Sequence, residues 1–145
     1  RRGGLVEALV GADVFIGVSK GEIMTAEMVS TMAKDSIVLG MANPIPEILP
    51  DEAIKGGAKV VGTGRSDYPN QINNSLVFPG LFKGLLDSHA VRESVGVRRA
   101  AVEALAGFIE PTVDKILPSM FDEGQAEAIA KAVVEQVRKE GLSRS

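Results

Sequence analysis

Along this chain, short β-rich apolar runs alternate with segments whose apolar residues recur at helical spacing. Val14-Phe-Ile-Gly-Val18 is entered from Gly11-Ala-Asp13 and is apolar at nearly every position, the pattern of a parallel strand covered on both faces by helices. Thr25 is placed to cap a helix over 26–33, whose Met28, Val29 and Met32 share one face; Lys34 and Asp35 then turn the chain into a second strand over 36–42. Asn43-Pro-Ile-Pro46 neither continues that strand nor opens a long helix, because the prolines lack amide donors and hold the residues before them extended. The stretch 51–57 reads as a short helix with acids in its first turn and glycine at its end, and 59–62 as a third strand.

The remainder is helical in pattern from about 75 to 140. Leu76, Val77, Leu81, Leu85 and Leu86 predict a helix kinked or begun near Pro79. Val97, Ala100, Ala101, Ala104, Leu105 and Phe108 form one apolar stripe, and Ala126, Ile129, Ala130, Val133 and Val137 another. Glu127 with Lys131, and Glu135 with Lys139, stand at i,i+4 spacing for ion pairs. The pattern therefore predicts an α/β chain: the second half of a doubly wound, Rossmann-like parallel sheet of about three strands, followed by C-terminal helices. The glycine-rich phosphate turn of such folds is missing, since Gly62-Thr-Gly64 lacks a third glycine and follows the last strand. A half sheet also leaves strand 14–18 without its usual neighbour, exposing backbone groups unless another chain covers them.

Size and composition narrow the classes. A chain of 145 residues fits one domain, which at this size buries about 68–70% of the unfolded chain's surface. A net charge of −3, with Lys and Arg scattered among acids, offers no footprint for nucleic acid. The absence of cysteine removes disulfides, thiolate nucleophiles and Cys-based zinc sites, and suits a cytoplasmic protein. The single histidine, His89, falls near a helix end and has no partner with which to form a metal site. No apolar run approaches the roughly 20 residues that span a bilayer, and the start lacks the apolar core of a signal peptide. The chain has no initiator Met and is expected to be a piece of a longer, soluble protein.

Candidate chemistry concentrates where strands end. Arg65, Asp67, Asn70, Gln71, Asn73 and Asn74 crowd the segment after the third strand, the place where open α/β sheets hold small polar ligands. One strand earlier, Asn43 begins a Pro-braced turn; its amide either bonds its own backbone or projects into the crevice above the sheet. Asn73 and Asn74 stand at a predicted helix start, where one of them caps the free N–H groups and the other is left for a ligand carboxylate; the residues alone leave open which. Arg65 and Asp67 either pair with each other or support the site from behind, and Tyr68 is a packing residue. Gly17 reads by itself as a packing glycine.

Three stretches in this order and spacing, Gly11-Ala-Asp-Val-Phe-Ile-Gly-Val-Ser19, Ala42-Asn-Pro-Ile-Pro-Glu47 and Gly62-Thr-Gly-Arg-Ser-Asp-Tyr-Pro-Asn-Gln-Ile-Asn-Asn-Ser-Leu-Val-Phe-Pro-Gly80, resemble the carboxy-terminal part of malic enzymes of the small prokaryotic kind. The resemblance runs from about residue 1 into the helices after Phe82. It implies a parent enzyme that converts malate to pyruvate and carbon dioxide by oxidative decarboxylation. It also implies NAD or NADP as cofactor, with NAD preferred, and a divalent metal, Mn or Mg, bound outside this chain. It implies that Asn43 contacts substrate beside the nicotinamide, that the Asn73–Asn74 pair helps hold malate, and that Gly17, Val18 and Ser19 lie against the dinucleotide mainly through backbone.

The family's general-base lysine, its catalytic tyrosine and its acidic metal ligands match nothing here and would lie upstream. This chain is therefore expected to supply walls of the site, to be incompetent alone, to need the rest of the parent enzyme, and to work within a homo-oligomer. The alternatives are half of another nicotinamide-dependent dehydrogenase, against which the Asn-Asn followed by Phe-Pro-Gly argues, or a non-catalytic α/β regulatory or interaction module.

Overall fold

A computed structural model describes residues 3–144. Length predicts one domain, but the chain packs as two compact units. One comprises the residues up to Ile72 together with Thr112–Ile116; the other comprises Asn73–Pro111 and the chain from Leu117 onward.

The first unit contains α1 (Leu5–Leu9), β1 (Val14–Gly17), α2 (Ala26–Ser30), β2 (Ile37–Gly40), α3 (Pro50–Lys55) and β3 (Val60–Thr63). The strands form a three-stranded parallel sheet in the order β1-β2-β3, with Gly17 level with Gly40 and Gly40 level with Thr63. All three carboxyl ends therefore finish in one row. Each connection carries a helix, as a parallel sheet requires. Thr25 caps α2 by accepting from the Met28 amide at 3.4 Å, as its position predicts. The helix is shorter than expected and closes at Thr31, whose hydroxyl donates to the Met28 carbonyl. Asp35 turns the chain in the left-handed region, with φ of 60°. Pro50 opens α3 and acids occupy its first turn.

Leu9, Met24, Val29, Met32, Val38, Ile48, Ala53 and Ala58 form the core of this unit. β1 departs from the expectation of a strand covered on both faces. Phe15 packs against the core, but Val14 and Ile16 are 47% and 62% exposed. Side chains alternate across a strand, and β1 is the edge of its sheet with helical cover on one face.

The second unit is helical. A 3-10 turn over Asn74–Leu76 leads into α4 (Phe78–Asp87), with Pro79 in its first turn, so the helix begins near that proline and is not kinked by it. α5 (Val95–Ala106) starts at a Ser94 cap, whose hydroxyl accepts from the Val97 amide at 3.0 Å, and α6 spans Gln125–Lys139. Between α5 and α6 the chain is not helical, Gly107 and Pro111 having ended the periodic run. Leu81, Val97, Ala101, Ile129, Val133, Val137 and Leu142 make the core.

α4 meets α6 through glycine. A Cβ on Gly84 would lie 2.6 Å from Val133 Cβ and 2.7 Å from the Ala130 carbonyl oxygen, and Gly80 is equally tight against Ile129 and Ala126. The ion pairs expected within α6 do not form among the described residues. Those on neighbouring helices are Lys83–Asp87 and Arg99–Glu103, while Gln136 of α6 donates to Glu140, the residue that caps its C-terminal end. Among the described residues no helix is long and apolar enough to cross a membrane.

Candidate active-site edge

Because β1 and β2 end level, the segments that follow them run side by side: Val18-Ser19 after β1, and Met41-Ala42-Asn43 after β2. The Met41 amide donates to the Gly17 carbonyl at 3.0 Å, extending the ladder by one bond. Beyond it the two segments are joined by a side chain. Glu47 is fully buried (0% exposed). Its Oε1 accepts from the Ser19 amide at 2.7 Å and the Ser19 hydroxyl at 3.0 Å, and its Oε2 accepts from the Ala42 amide at 3.0 Å. The Glu47 carbonyl takes the amides of Ile23 and Met24, and the Pro46 carbonyl that of Glu22, so the whole 46–47 turn is laced to 19–24.

Burial pushes the Glu47 carboxyl up. The amides of Ser19, Ala42 and Glu47 itself, with the Ser19 hydroxyl, outweigh that and hold it below its ordinary range. The residue is an ionised, saturated carboxylate inside the protein.

Asn43 stands at the exposed lip of this arrangement, joined to Pro44 by a cis peptide bond. Its side chain makes no hydrogen bond among the described residues, so of the two readings of this amide the self-bonded turn is not the one observed. Val18 is 77% exposed, and Gly17 is buried with its α-carbon against the Glu47 carboxyl.

The polar segment after β3 divides its labour. Asn70 is a staple: its Nδ2 donates to the Val61 and Val113 carbonyls, each at 2.8 Å, and its Oδ1 accepts from the Ile116 amide at 2.9 Å. It holds φ of 56°, a left-handed conformation that asparagine tolerates better than most residues. Arg65 and Asp67 form a two-pronged pair, Nε to Oδ1 at 2.8 Å and Nη2 to Oδ2 at 2.6 Å, and that bond holds the Asp67 carboxyl low. The guanidinium also lies 5.5 Å from the centre of the Tyr68 ring. This is the pairing alternative read from their spacing.

In the second unit, Asn73 caps the 3-10 turn, its Oδ1 accepting from the Ser75 amide at 3.0 Å. Asn74 is exposed and its side chain makes no hydrogen bond among the described residues. His89 is exposed just past α4, and its carbonyl accepts from the Arg144 amide at 2.9 Å. Among the described residues, no three His, Cys, Asp or Glu side chains gather to hold a metal ion.

Glu47 is the residue that sequence reasoning passed over. Its signal was an acid set inside Ile45-Pro-Glu-Ile-Leu49, where an unpaired charge would be costly to bury.

Residues 4–142 match the family described as malic enzyme, NAD binding domain. The bifunctional malic/malolactic enzyme of Bacillus subtilis is 50% identical to this chain, over 98% of it and 35% of the bacterial protein. The NAD-dependent malic enzyme of Geobacillus stearothermophilus is 46% identical, over 99% and 30% respectively. Relatives named NADP-dependent malic enzyme match as well. The crystal structure of malic enzyme from Pyrococcus horikoshii superposes with a TM-score of 0.94 at 44% identity, covering 99% of this chain and 34% of that one. The chain thus spans about a third of the length of these relatives. In sequence and in the course of its backbone, it belongs to the malic enzyme family, as part of the NAD-binding domain.

Proposed function

We propose that the full protein is a malic enzyme that oxidises and decarboxylates malate to pyruvate and carbon dioxide with NAD or NADP. This chain contributes walls of the active site and is inactive alone, since the family's general-base lysine and catalytic tyrosine match no position in it. The observation that carries this reading is the unengaged Asn43 amide at the end of β2, beside the Gly17–Ser19 backbone at the end of β1. That is the edge at which open parallel sheets take ligands.

The residues there fit a dinucleotide. Val18 offers exposed apolar surface, the backbone around Ser19 and Ala42 is fixed, and the Asn43 amide can donate and accept at once. When bound, a nicotinamide supplies the hydride acceptor. Asn43 orients substrate against it. Asn74, released by the capping role of Asn73, binds a malate carboxylate. The divalent cation is assigned to the remainder of the protein, since among the described residues no three His, Cys, Asp or Glu side chains gather to hold one. A cytoplasmic homo-oligomer completes the reading.

The test is malate-dependent reduction of NAD and of NADP, with Mn present, by the full-length enzyme carrying Asn43 or Ala at that position. Turnover by the native protein and a loss on the order of 100-fold in Asn43→Ala, with the fold retained, support the reading. An inactive native enzyme sinks the assignment, and an unimpaired Ala variant returns Asn43 to a turn residue.

A further inference from the structure

We infer that Glu47 is a positioning residue for this site: its buried carboxylate ties the segment after β1 to the segment after β2 and so sets where Ser19 and Asn43 stand relative to each other. The inference rests on the malic-enzyme reading above.

A carboxylate is an expensive way to fill space in a core, where an apolar side chain such as leucine is the ordinary occupant. Glu47 is nevertheless fully buried, and each hydrogen bond its side chain accepts from another residue comes from one of two strand-end segments. Ser19 supplies an amide and a hydroxyl from one side, and Ala42 supplies an amide from the other. Only a side chain with acceptors at both ends bridges them. Glutamine has an acceptor at one end and donors at the other, so in either orientation it sets an N–H against an N–H.

The geometry around the carboxylate is equally committed. A Cβ on Gly17 would lie 2.4 Å from Glu47 Cδ and 2.7 Å from each carboxylate oxygen. β1 therefore gives up a side chain where the carboxylate lies. Ala42, whose amide is held, immediately precedes Asn43, whose own side chain makes no hydrogen bond among the described residues. The position of the Asn43 amide is thus inherited from the bond between the Ala42 N–H and Glu47. A displacement of about 1 Å at such a group is enough to cost on the order of 100-fold in rate.

The experiment uses the full-length enzyme. Glu47→Gln, Asn43→Ala and the double variant are compared with native for KM and kcat with malate and dinucleotide, and for the Kd of NADH read from its fluorescence. Glu47→Gln is expected to raise the KM for malate and the Kd for NADH on the order of 10-fold. The two substitutions are expected to be non-additive in kcat/KM, because removing the amide leaves Glu47 nothing to position there.

A residue that merely stabilises the fold would lower the active fraction, leaving KM and Kd unchanged and the double variant additive; that result overturns the inference. If Glu47→Gln does not fold, Ser19→Ala takes its place. It removes one of the donors on Oε1, and a several-fold rise in the Kd of NADH supports the inference while an unchanged Kd overturns it. A native enzyme that lacks malate-dependent turnover but binds NADH sinks the functional reading alone, and Glu47 is then judged by NADH binding. A native enzyme that does not bind NADH overturns both.

Discussion

Gly17 and Glu47 occupy one space between them: the hydrogen on the Gly17 α-carbon lies where any larger substituent would meet the Glu47 carboxyl carbon at 2.4 Å. The carboxyl cannot swing aside, since donors from Ser19 and Ala42 hold both of its oxygens. Gly17→Ala is therefore expected to destabilise the first unit by about 1–3 kcal/mol, the usual cost of overpacking. A thermal melt of the full-length enzyme reads this as a lower transition. An unmoved transition would mean that the carboxyl has somewhere else to go.

The ionisation of Glu47 gives the stability a pH dependence of known sign. Its folded value lies below the ordinary 4.5, so its contribution is complete above 4.5 and is lost as pH falls from there through the folded value. Comparing native enzyme with Glu47→Gln, the gap in unfolding midpoint should be constant between about pH 7 and pH 5 and close at lower pH. A gap that stays open at low pH would show that the charge is not what matters.

Asn73 and Asn74 should separate by type of loss. Asn73→Ala removes a cap and should cost about 1 kcal/mol of stability. Asn74→Ala breaks no hydrogen bond among the described residues, so it should leave the melt unchanged while raising the KM for malate. Steady-state kinetics beside a melt of each variant checks this; the reverse pattern would exchange their roles.

Glycine to alanine within a helix normally helps by about 1 kcal/mol, but the sign should depend on what stands opposite. At Gly84 the new methyl meets Val133 Cβ and a backbone carbonyl of α6, neither of which can yield without separating the helices, so Gly84→Ala should be net destabilising. At Gly96 the nearest atoms are the movable ends of Glu140 and Gln136, so Gly96→Ala should be neutral or stabilising by up to about 1 kcal/mol. Denaturation midpoints of the two variants test the contrast directly.

Asn70→Ala would leave the Val61 and Val113 carbonyls and the Ile116 amide without their partner, at a cost of about 2–4 kcal/mol. Hydrogen exchange should show the Ile116 amide losing its protection. Retained protection would mean that another group takes over.

What could be read from the chain was what neighbouring residues decide. The three strands are visible as β-rich runs punctuated by glycine and proline; β1 and β2 are trimmed to the positions that have a ladder partner, and β3 moves one residue on, to end at Thr63 opposite Gly40. Thr25 was legible because its bond to Met28 spans three residues, and the start of α4 because proline favours a first turn.

Contacts across long separations were hidden. Glu47 finds Ser19 28 residues away, and Asn70 finds Val113 at a separation of 43. Exposure of Ile16 depends on what lies over the sheet, which no run of apolar letters records. The pairs expected on α6 failed because i,i+4 spacing permits contact between exposed side chains without requiring it.

The staple at Asn70 also orders events in time. β3 and Asn70 leave the ribosome well before residues 113 and 116, and at ordinary synthesis rates the interval is on the order of a few seconds. Through it, one side-chain donor and the side-chain acceptor of Asn70 have only water to bond. The sheet forms early from local segments, but the first unit is finished only when a strip of chain made 43 residues later returns to it. A nascent chain arrested at Pro111 would thus hold its strands without the last polar bonds that lock them.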